Sequence, residues 1–434
     1  MGEGAKGFVI AAPHSGSGKT LVTLGLCRAF RQSGISVTPA KSGPDYIDPH
    51  YLARAAGEPC INLDAWAMRA QRLSMRAQHH ANGKDMLIVE GAMGLFDGAQ
   101  SGGGSTADLA ALLGLPVVLV IDCSHMAQSV AALAHGFSIF RPDVRIAGVI
   151  LNRVASDKHE AMLRHALMER QIKMFGVLRR DDNLKVPGRH LGLVLPSEIA
   201  QADLIIDAAA EAVKKGIDLE RLRGAAVFMA PAGRGKALPP LGQRIAIAKD
   251  AAFSFIYEHW LQDWRGAGAQ ISFFSPLADQ APARGSDAVF LPGGYPELHG
   301  AALAGAHKFK AGLIAARGQG ALIYGECGGY MVLGEKLTDR EGVTHKMAGL
   351  LPHATRIDTP HRTLGYRILR NNGPLPFGQQ LCGHEFHYST QEASVQFPLF
   401  EATNATGNVC DPMGAIVGKV CGAYAHVIDR QALR

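Results

Sequence analysis

The sequence predicts an α/β protein of two domains, the first a doubly wound parallel sheet and the second a further α/β unit. Three observations carry this. Short, β-branched apolar runs alternate with helical patterns, the rhythm of βαβ units. Glycine, 51 of 434 residues, exceeds the usual ~7% and clusters beside those runs without a collagen-like period. A segment near residues 230–242, punctuated by Pro231, Gly233, Gly235, Pro239, Pro240 and Gly242, breaks the rhythm, which then restarts.

The elements follow in order. Phe8–Ala12 reads as a strand, followed by a Gly/Ser turn and a helix around Leu21–Phe30. Met86–Val89, Val117–Ile121 and Ile146–Leu151 are continuous apolar runs, as in parallel strands covered on both faces. Lys158–Arg170 has a helical pattern. Past the punctuated segment, Arg244–Ala248, Ile271–Phe274 and Ala288–Leu291 read as strands and Phe255–Trp264 as a helix. The expected domains are residues 1–235 and 243–434.

Composition narrows the function classes. With 47% hydrophobic and 19% charged residues, disorder is excluded as the dominant state. A net charge of +6 suits anionic ligands and does not by itself point to nucleic acid. The uncharged stretch between Asp108 and Asp122 is thirteen residues long and contains Pro116, whereas a spanning helix needs about 20. Phe8–Ala12 is too short for a signal core, and Lys6 stands where a myristoylation signal wants Ser or Thr. The seven cysteines are scattered at 27, 60, 123, 327, 382, 410 and 421, with no Cys-x-x-Cys pair. Neither a zinc site nor a disulfide framework is signalled, and a reducing cytoplasm is the expected compartment.

Residues 13–20 read Pro-His-Ser-Gly-Ser-Gly-Lys-Thr, between a predicted strand and a predicted helix. That is the context of a P-loop. Gly16, Ser17 and Gly18 bring backbone N–H groups to phosphate oxygens, Lys19 supplies charge, and Thr20 a hydroxyl for Mg²⁺. The first glycine of the usual pattern is Pro13 here. ATP with Mg²⁺ is the expected ligand. Two Gly/Pro-rich loops add acids: residues 41–49 carry Lys41, Asp45 and Asp48, and residues 90–98 carry Glu90 and Asp97. Singly these read as solvated turns; beside a P-loop they read as metal or substrate contacts. Asn152 closes another strand and could meet an adenine edge or cap the next helix.

The second domain carries a thiol motif. An apolar strand runs into Gly325-Glu326-Cys327-Gly328-Gly329, with a helix behind it. Glycines on both sides of a nucleophile permit the strained turn of a nucleophile elbow, and a helix start is expected to lower the thiol pKa. The N–H of Gly328 would face a developing oxyanion, with a second donor from the loop containing Gly293 and Gly294. The base must be a histidine brought in by the fold. His426, after the strand-like Gly422–Ala425, is the first candidate; His384 and His387 are its rivals.

These residues carry a family likeness. The first domain resembles the dethiobiotin synthetase type of fold, and the second resembles class I glutamine amidotransferases of the cobalamin-biosynthesis subtype. The order of Lys-Ser-Gly-Pro-Asp-Tyr-Ile-Asp-Pro, Glu-Gly-Ala-Met-Gly-Leu-Phe-Asp-Gly, Leu-Pro-Gly-Gly-Tyr-Pro-Glu and Gly-His-Glu-Phe-His-Tyr-Ser is similar to that of the cobyrinate and hydrogenobyrinate a,c-diamide synthases. The likeness covers nearly the whole chain. It implies that L-glutamine is hydrolysed at Cys327 with His426 as its base and Gly294 and Gly328 as oxyanion donors. The ammonia would serve a P-loop domain that uses ATP to phosphorylate two acetate carboxylates of a corrinoid ring. Lys19 and Lys41 would neutralise the transferring phosphate. Thr20, Asp45 and Glu90 would hold Mg²⁺, Asn152 would contact ATP, and Asp97 would sit near the substrate carboxylate. The implied partner is a corrinoid polycarboxylate, with no nucleic acid and no membrane, and a homodimer is the assembly allowed.

Two departures stand out. Many class I amidotransferases carry Glu two residues after the catalytic histidine; here that residue is Ile428, so the third member of the site is open. P-loop switch ATPases of the cell-division type carry an early second lysine where His14 stands here. Amidation of another tetrapyrrole, such as nickel-sirohydrochlorin, is the nearest alternative. A nucleotide-dependent binding switch is the alternative from another class, but it needs no elbow cysteine, and the tail Asp429–Arg434 is too short and polar for the membrane-seeking helix such switches often carry.

Overall fold

The structure, a computed structural model, describes residues 6–181, 184, 201–231, 233, 235–392 and 396–430. Residues 1–5, residues 232 and 234 of the punctuated segment, and residues 431–434 of the tail lie outside the described residues. The chain divides into two compact units, Met1–Gly235 and Lys236–Arg434.

In the first unit, β1 (Lys6–Ala11), β2 (Val37–Ser42), β3 (Ile61–Leu63), β4 (Met86–Glu90), β5 (Val117–Asp122), β6 (Ile146–Val154) and β7 (Met174–Arg179) form a parallel sheet in the order β3-β2-β4-β1-β5-β6-β7. A short strand, β8 (Val227–Phe228), runs antiparallel to the start of β1. The interior strands are buried along nearly their whole length, which explains their unbroken apolar runs. β2 is the exception in sequence, reading Val-Thr-Pro-Ala-Lys-Ser. Its polar residues and Pro39 hide it from an apolar-run reading, so Lys41 belongs to the end of a strand and not to a loop. The predicted helix around Leu21–Phe30 runs Lys19–Gln32 and that over Lys158–Arg170 runs Asp157–Glu169.

The second unit holds a six-stranded sheet. β9 (Arg244–Ala248), β10 (Gln270–Phe274), β11 (Ala288–Leu291) and β12 (Leu322–Glu326) are parallel in the order β10-β9-β11-β12; the strand Val420–Ala423 extends them beside β12, and Ala415–Val417 closes the edge antiparallel. Trp260, Trp264, Phe290 and Tyr324 are buried together beside this sheet, with Phe377 against Trp260 and Tyr324. The helix predicted over Phe255–Trp264 begins only at Glu258. The backbone before it is taken up elsewhere: the N–H groups of Ser254 and Phe255 both donate to the Gly293 carbonyl at 3.0 Å. Between Lys336 and Arg430 the chain adds a four-stranded and a five-stranded sheet, antiparallel except for one parallel strand pair. No helix among the described residues is long and apolar enough to cross a membrane.

Candidate active sites

The first site forms at the carboxyl ends of β1, β2 and β4. After β1 the backbone turns through Gly16 and Gly18, whose φ values of 83° and 92° are left-handed and cost glycine little. A Cβ on Gly18 would fall 2.2 Å from Asn152 Nδ2. That amide donates to the Ser17 carbonyl at 2.9 Å, and its Oδ1 accepts from the Arg153 N–H at 3.0 Å. Asn152 therefore braces the loop from the end of β6. It does not cap the next helix, since Ser156 does. A cleft of about 270 Å³ opens at this loop, lined by Gly16, Lys19, Thr20, Asn152, Arg153 and Arg179 among others.

Beside the loop lies a buried charge cluster. Lys41 Nζ donates to Asp48 Oδ2 at 2.7 Å, to Glu90 Oε1 at 3.0 Å and to the Gly91 carbonyl at 3.3 Å. Thr20 Oγ1 donates to the same Glu90 oxygen at 2.6 Å. Burial alone would pull the Lys41 ammonium down, but Asp48, Glu90 and Asp45 outweigh it and hold it well above the usual lysine range. Burial pushes the Glu90 carboxyl up, with Lys41 pulling against it. The acid that touches Lys41 from its loop is thus Asp48. The expected ligand Asp45 uses Oδ1 to accept from the N–H groups of Ile47, at 2.7 Å, and Asp48, at 3.1 Å. Asp97 is exposed and accepts from the Gly94 N–H at 2.8 Å, folding the 90–98 loop back on itself. Among the described residues no three His, Cys, Asp or Glu side chains form a ready cage for a metal. Glu90 Oε2 is nonetheless buried without a hydrogen-bond partner, next to a threonine hydroxyl and more acids than lysines. That donor set fits Mg²⁺, which takes one or two carboxylates and completes its shell with phosphate and water.

The second site is the turn after β12. Cys327 has φ 46° and ψ −107°, a strained conformation for a residue with a Cβ. The surroundings enforce it. Its N–H donates to the Ala423 carbonyl at 2.8 Å, and Gly329 packs so tightly that a Cβ there would lie 1.9 Å from the Leu291 carbonyl oxygen. The Gly294 nitrogen is 3.1 Å from where a Gly328 Cβ would stand, so the two expected oxyanion donors are brought side by side. His426 Cε1 and Cys327 Cβ both lie within 3.3 Å of the position a Gly293 Cβ would take, so His426 is at the thiol. Its rivals are placed otherwise. His387 has both ring nitrogens occupied, Nδ1 with the Ser389 carbonyl and Nε2 with Glu385 Oε1, each at 2.8 Å, and it stacks on Tyr424. His384 is the cross-strand partner of His426, with Tyr366 at its edge; burial, His426 and Arg367 pull its pKa down to about 3.

The expected low thiol pKa is corrected. Burial pushes the Cys327 thiol up, nearby Glu297, Glu326 and Glu385 add to the rise, and the Gly328 N–H pulls against them. The helix that follows, Gly328–Leu333, has six residues, too few to offset that burial. A thiol pushed up by burial calls for a base at its side. Glu297, which follows the Gly293–Gly294 turn, is itself pushed by burial up to about 7.

One group at this site was missed from sequence. Glu326, adjacent to the nucleophile, is buried, with Oε2 3.6 Å from His426 Nδ1. The sought pattern places an acid after the histidine; nothing in a single sequence signals one placed before the cysteine on a neighbouring strand.

Comparison with known proteins adds the following. Residues 8–194 match the family described as CobQ/CobB/MinD/ParA nucleotide binding domain, and residues 244–432 match the CobB/CobQ-like glutamine amidotransferase domain. A hydrogenobyrinate a,c-diamide synthase of Rhizobium meliloti (strain 1021) is 51% identical over 425 residues, 98% of this chain and 99% of that protein. Proteins with the same description are 50% identical over 433 residues in Brucella abortus biovar 1 (strain 9-941), 98% of each chain, and 48% identical over 436 residues in Rhodobacter capsulatus, 99% of this chain and 100% of that one.

Proposed function

The chain belongs to the hydrogenobyrinate a,c-diamide synthase family, and from that premise we propose that it is a glutamine-hydrolysing carbon–nitrogen ligase that amidates the a and c acetate groups of hydrogenobyrinate. In the second unit, Cys327 Sγ attacks the glutamine amide carbon while His426 takes the thiol proton. The N–H groups of Gly294 and Gly328 stabilise the oxyanion, ammonia leaves with a proton returned by His426, and water hydrolyses the thioester to glutamate. In the first unit, the substrate carboxylate attacks the γ-phosphorus of ATP, giving ADP and an acyl phosphate. Ammonia then attacks that carbonyl and expels inorganic phosphate. The cycle runs twice per ring.

The chain's own groups divide the work. The loop at Gly16–Thr20, braced by Asn152, cradles the phosphates, and Lys19 and Lys41 balance the charge of the transferring group. Thr20 and Glu90 are the residues that would hold Mg²⁺, with Asp45 and Asp48 as further carboxylates beside Lys41. When bound, the metal would screen the phosphate oxygens from the incoming carboxylate. Asp97 is proposed to steer the acetate. The proposed setting is the cytoplasm and the proposed assembly a homodimer.

The observation that carries this reading is the presence in one chain of both a P-loop charge cluster and a strained cysteine with a histidine at its side. The test separates them. Cys327→Ser should abolish amidation driven by glutamine and keep amidation driven by ammonium salt, more so at higher pH where more NH₃ is free. Lys19→Ala should abolish both. Product mass, two successive exchanges of OH for NH₂, is the measurement. If Cys327→Ser, folded and ATP-binding, also loses the ammonium reaction, the two-site reading fails.

A further inference from the structure

We infer that Glu326 is the positioning residue for His426, the acid that this site otherwise lacks at Ile428. The inference rests on the reading of Cys327 and His426 as nucleophile and base. Four observations lead to it. Glu326 and His426 are both almost fully buried, at 1% and 2% exposure, so any interaction between them is little screened. One carboxylate oxygen is tied down: Oε1 accepts from the Tyr324 hydroxyl at 2.8 Å and from the Val427 N–H at 3.0 Å. Tyr324 lies two residues earlier on β12, hence on the same side of the strand, and Val427 follows His426 directly. The carboxylate is therefore fastened to the backbone that carries the histidine. Its second oxygen, Oε2, lies 3.6 Å from His426 Nδ1.

The chemistry follows from that arrangement. For Nε2 to take the thiol proton, the neutral ring must carry its hydrogen on Nδ1, and a carboxylate facing Nδ1 selects that tautomer. Once the proton has moved, the imidazolium sits next to a fixed negative charge. The separation of 3.6 Å is longer than a hydrogen bond. Contacts of this kind tighten when charge develops, and a shift of well under an ångström closes this one. A more stable imidazolium means more thiolate at neutral pH.

Glu326→Gln is the discriminating change. The amide can still accept from Tyr324 and Val427, but its NH₂ then faces Nδ1 and favours hydrogen on Nε2, the tautomer that cannot act as base. The expected result is a fall in glutaminase kcat on the order of 10²-fold, toward the lower end of what general-base catalysis supplies. KM for glutamine should change little. Alkylation of Cys327 by iodoacetamide should lose its neutral-pH plateau and recover toward the wild-type rate at high pH, where the thiol ionises unaided. A lost fold would not recover. Glu326→Asp keeps the charge and should retain more activity than Glu326→Gln. In the wild type, ¹⁵N-histidine NMR should find His426 with its proton on Nδ1. Wild-type kcat in Glu326→Gln, an unchanged alkylation profile, or a His426 proton on Nε2 would overturn the inference. If Cys327→Ser itself still hydrolyses glutamine, it is the underlying reading that falls.

Discussion

Replacing Lys41 with methionine isolates the buried cluster of the first unit. Methionine keeps the length and removes the charge. Asp48 and Glu90, whose side chains are 6% and 0% exposed, then lose the cation that stands 2.7 Å from one and 3.0 Å from the other. Removing one partner from a buried ion pair costs about 3–5 kcal/mol, because an uncompensated charge stays behind. At roughly 2–4 °C per kcal/mol for a unit of this size, the melting transition of the first unit should fall by about 6–20 °C. The pH dependence has a definite sign. Without Lys41 the Glu90 carboxyl, already pushed up by burial, is raised further in the folded state, so its share of the deficit vanishes below its unfolded value near ~4. That share grows as pH rises through the folded value and is complete above it. Calorimetry of the full chain at pH 8 and pH 5 should therefore show a larger difference between wild type and variant at pH 8. Saturating Mg²⁺ should return part of the loss by supplying another cation. A melting temperature within about 2 °C of wild type at pH 8, below the smallest expected shift, would refute the reasoning. So would a deficit that does not shrink at pH 5.

Two further outcomes concern the second unit. His426→Asn should lose glutamine hydrolysis while His387→Asn keeps a substantial part of it, since both His387 nitrogens are held by Ser389 and Glu385; a steady-state glutaminase assay of both variants decides, and the opposite ranking would remove His426 as base. Gly329→Ala should destabilise the unit by about 1–3 kcal/mol, the usual cost of overpacking, because its Cβ would meet the Leu291 carbonyl oxygen at 1.9 Å; denaturant unfolding measures this, and wild-type stability would mean that the elbow has slack.

The legible parts of this molecule are those governed by local pattern. The apolar runs of β1, β4, β5 and β6 are visible because these strands are buried along nearly their whole length. The elbow is visible because glycines must flank a residue with positive φ. What stayed hidden depends on distant partners. β2 is masked by Pro39, Lys41 and Ser42, and the Lys41 charge is answered by Asp48 and Glu90 from elsewhere in the fold. The start of the helix at Glu258 is set by the Gly293 carbonyl, which holds Ser254 and Phe255 outside it. Of the strands between residues 336 and 430, Lys336–Thr338, Thr344–Lys346 and Ala354–Arg356 are three residues long, and Thr363–Asn371 is mostly half-buried and lacks a continuous apolar run. The rise of the Cys327 pKa follows from burial, which a motif does not report. Glu326 stood in view beside the cysteine, but its bearing on His426 required the pairing of β12 with Val420–Ala423.

That pairing has a consequence for how the chain assembles. The Cys327 N–H reaches the Ala423 carbonyl, and the Glu326 carboxylate reaches the Val427 N–H. The proposed nucleophile and its proposed base are thus the two ends of one long excursion of roughly a hundred residues, whose closure carries an entropic cost that local contacts cannot offset. A nascent or partly folded chain carries a cysteine without a base. Its thiol is unassisted and inert toward glutamine until the excursion has folded and brought its ends together. On the proposed reading, completion of the fold is what arms the sulfur, and an unfinished chain spends no glutamine.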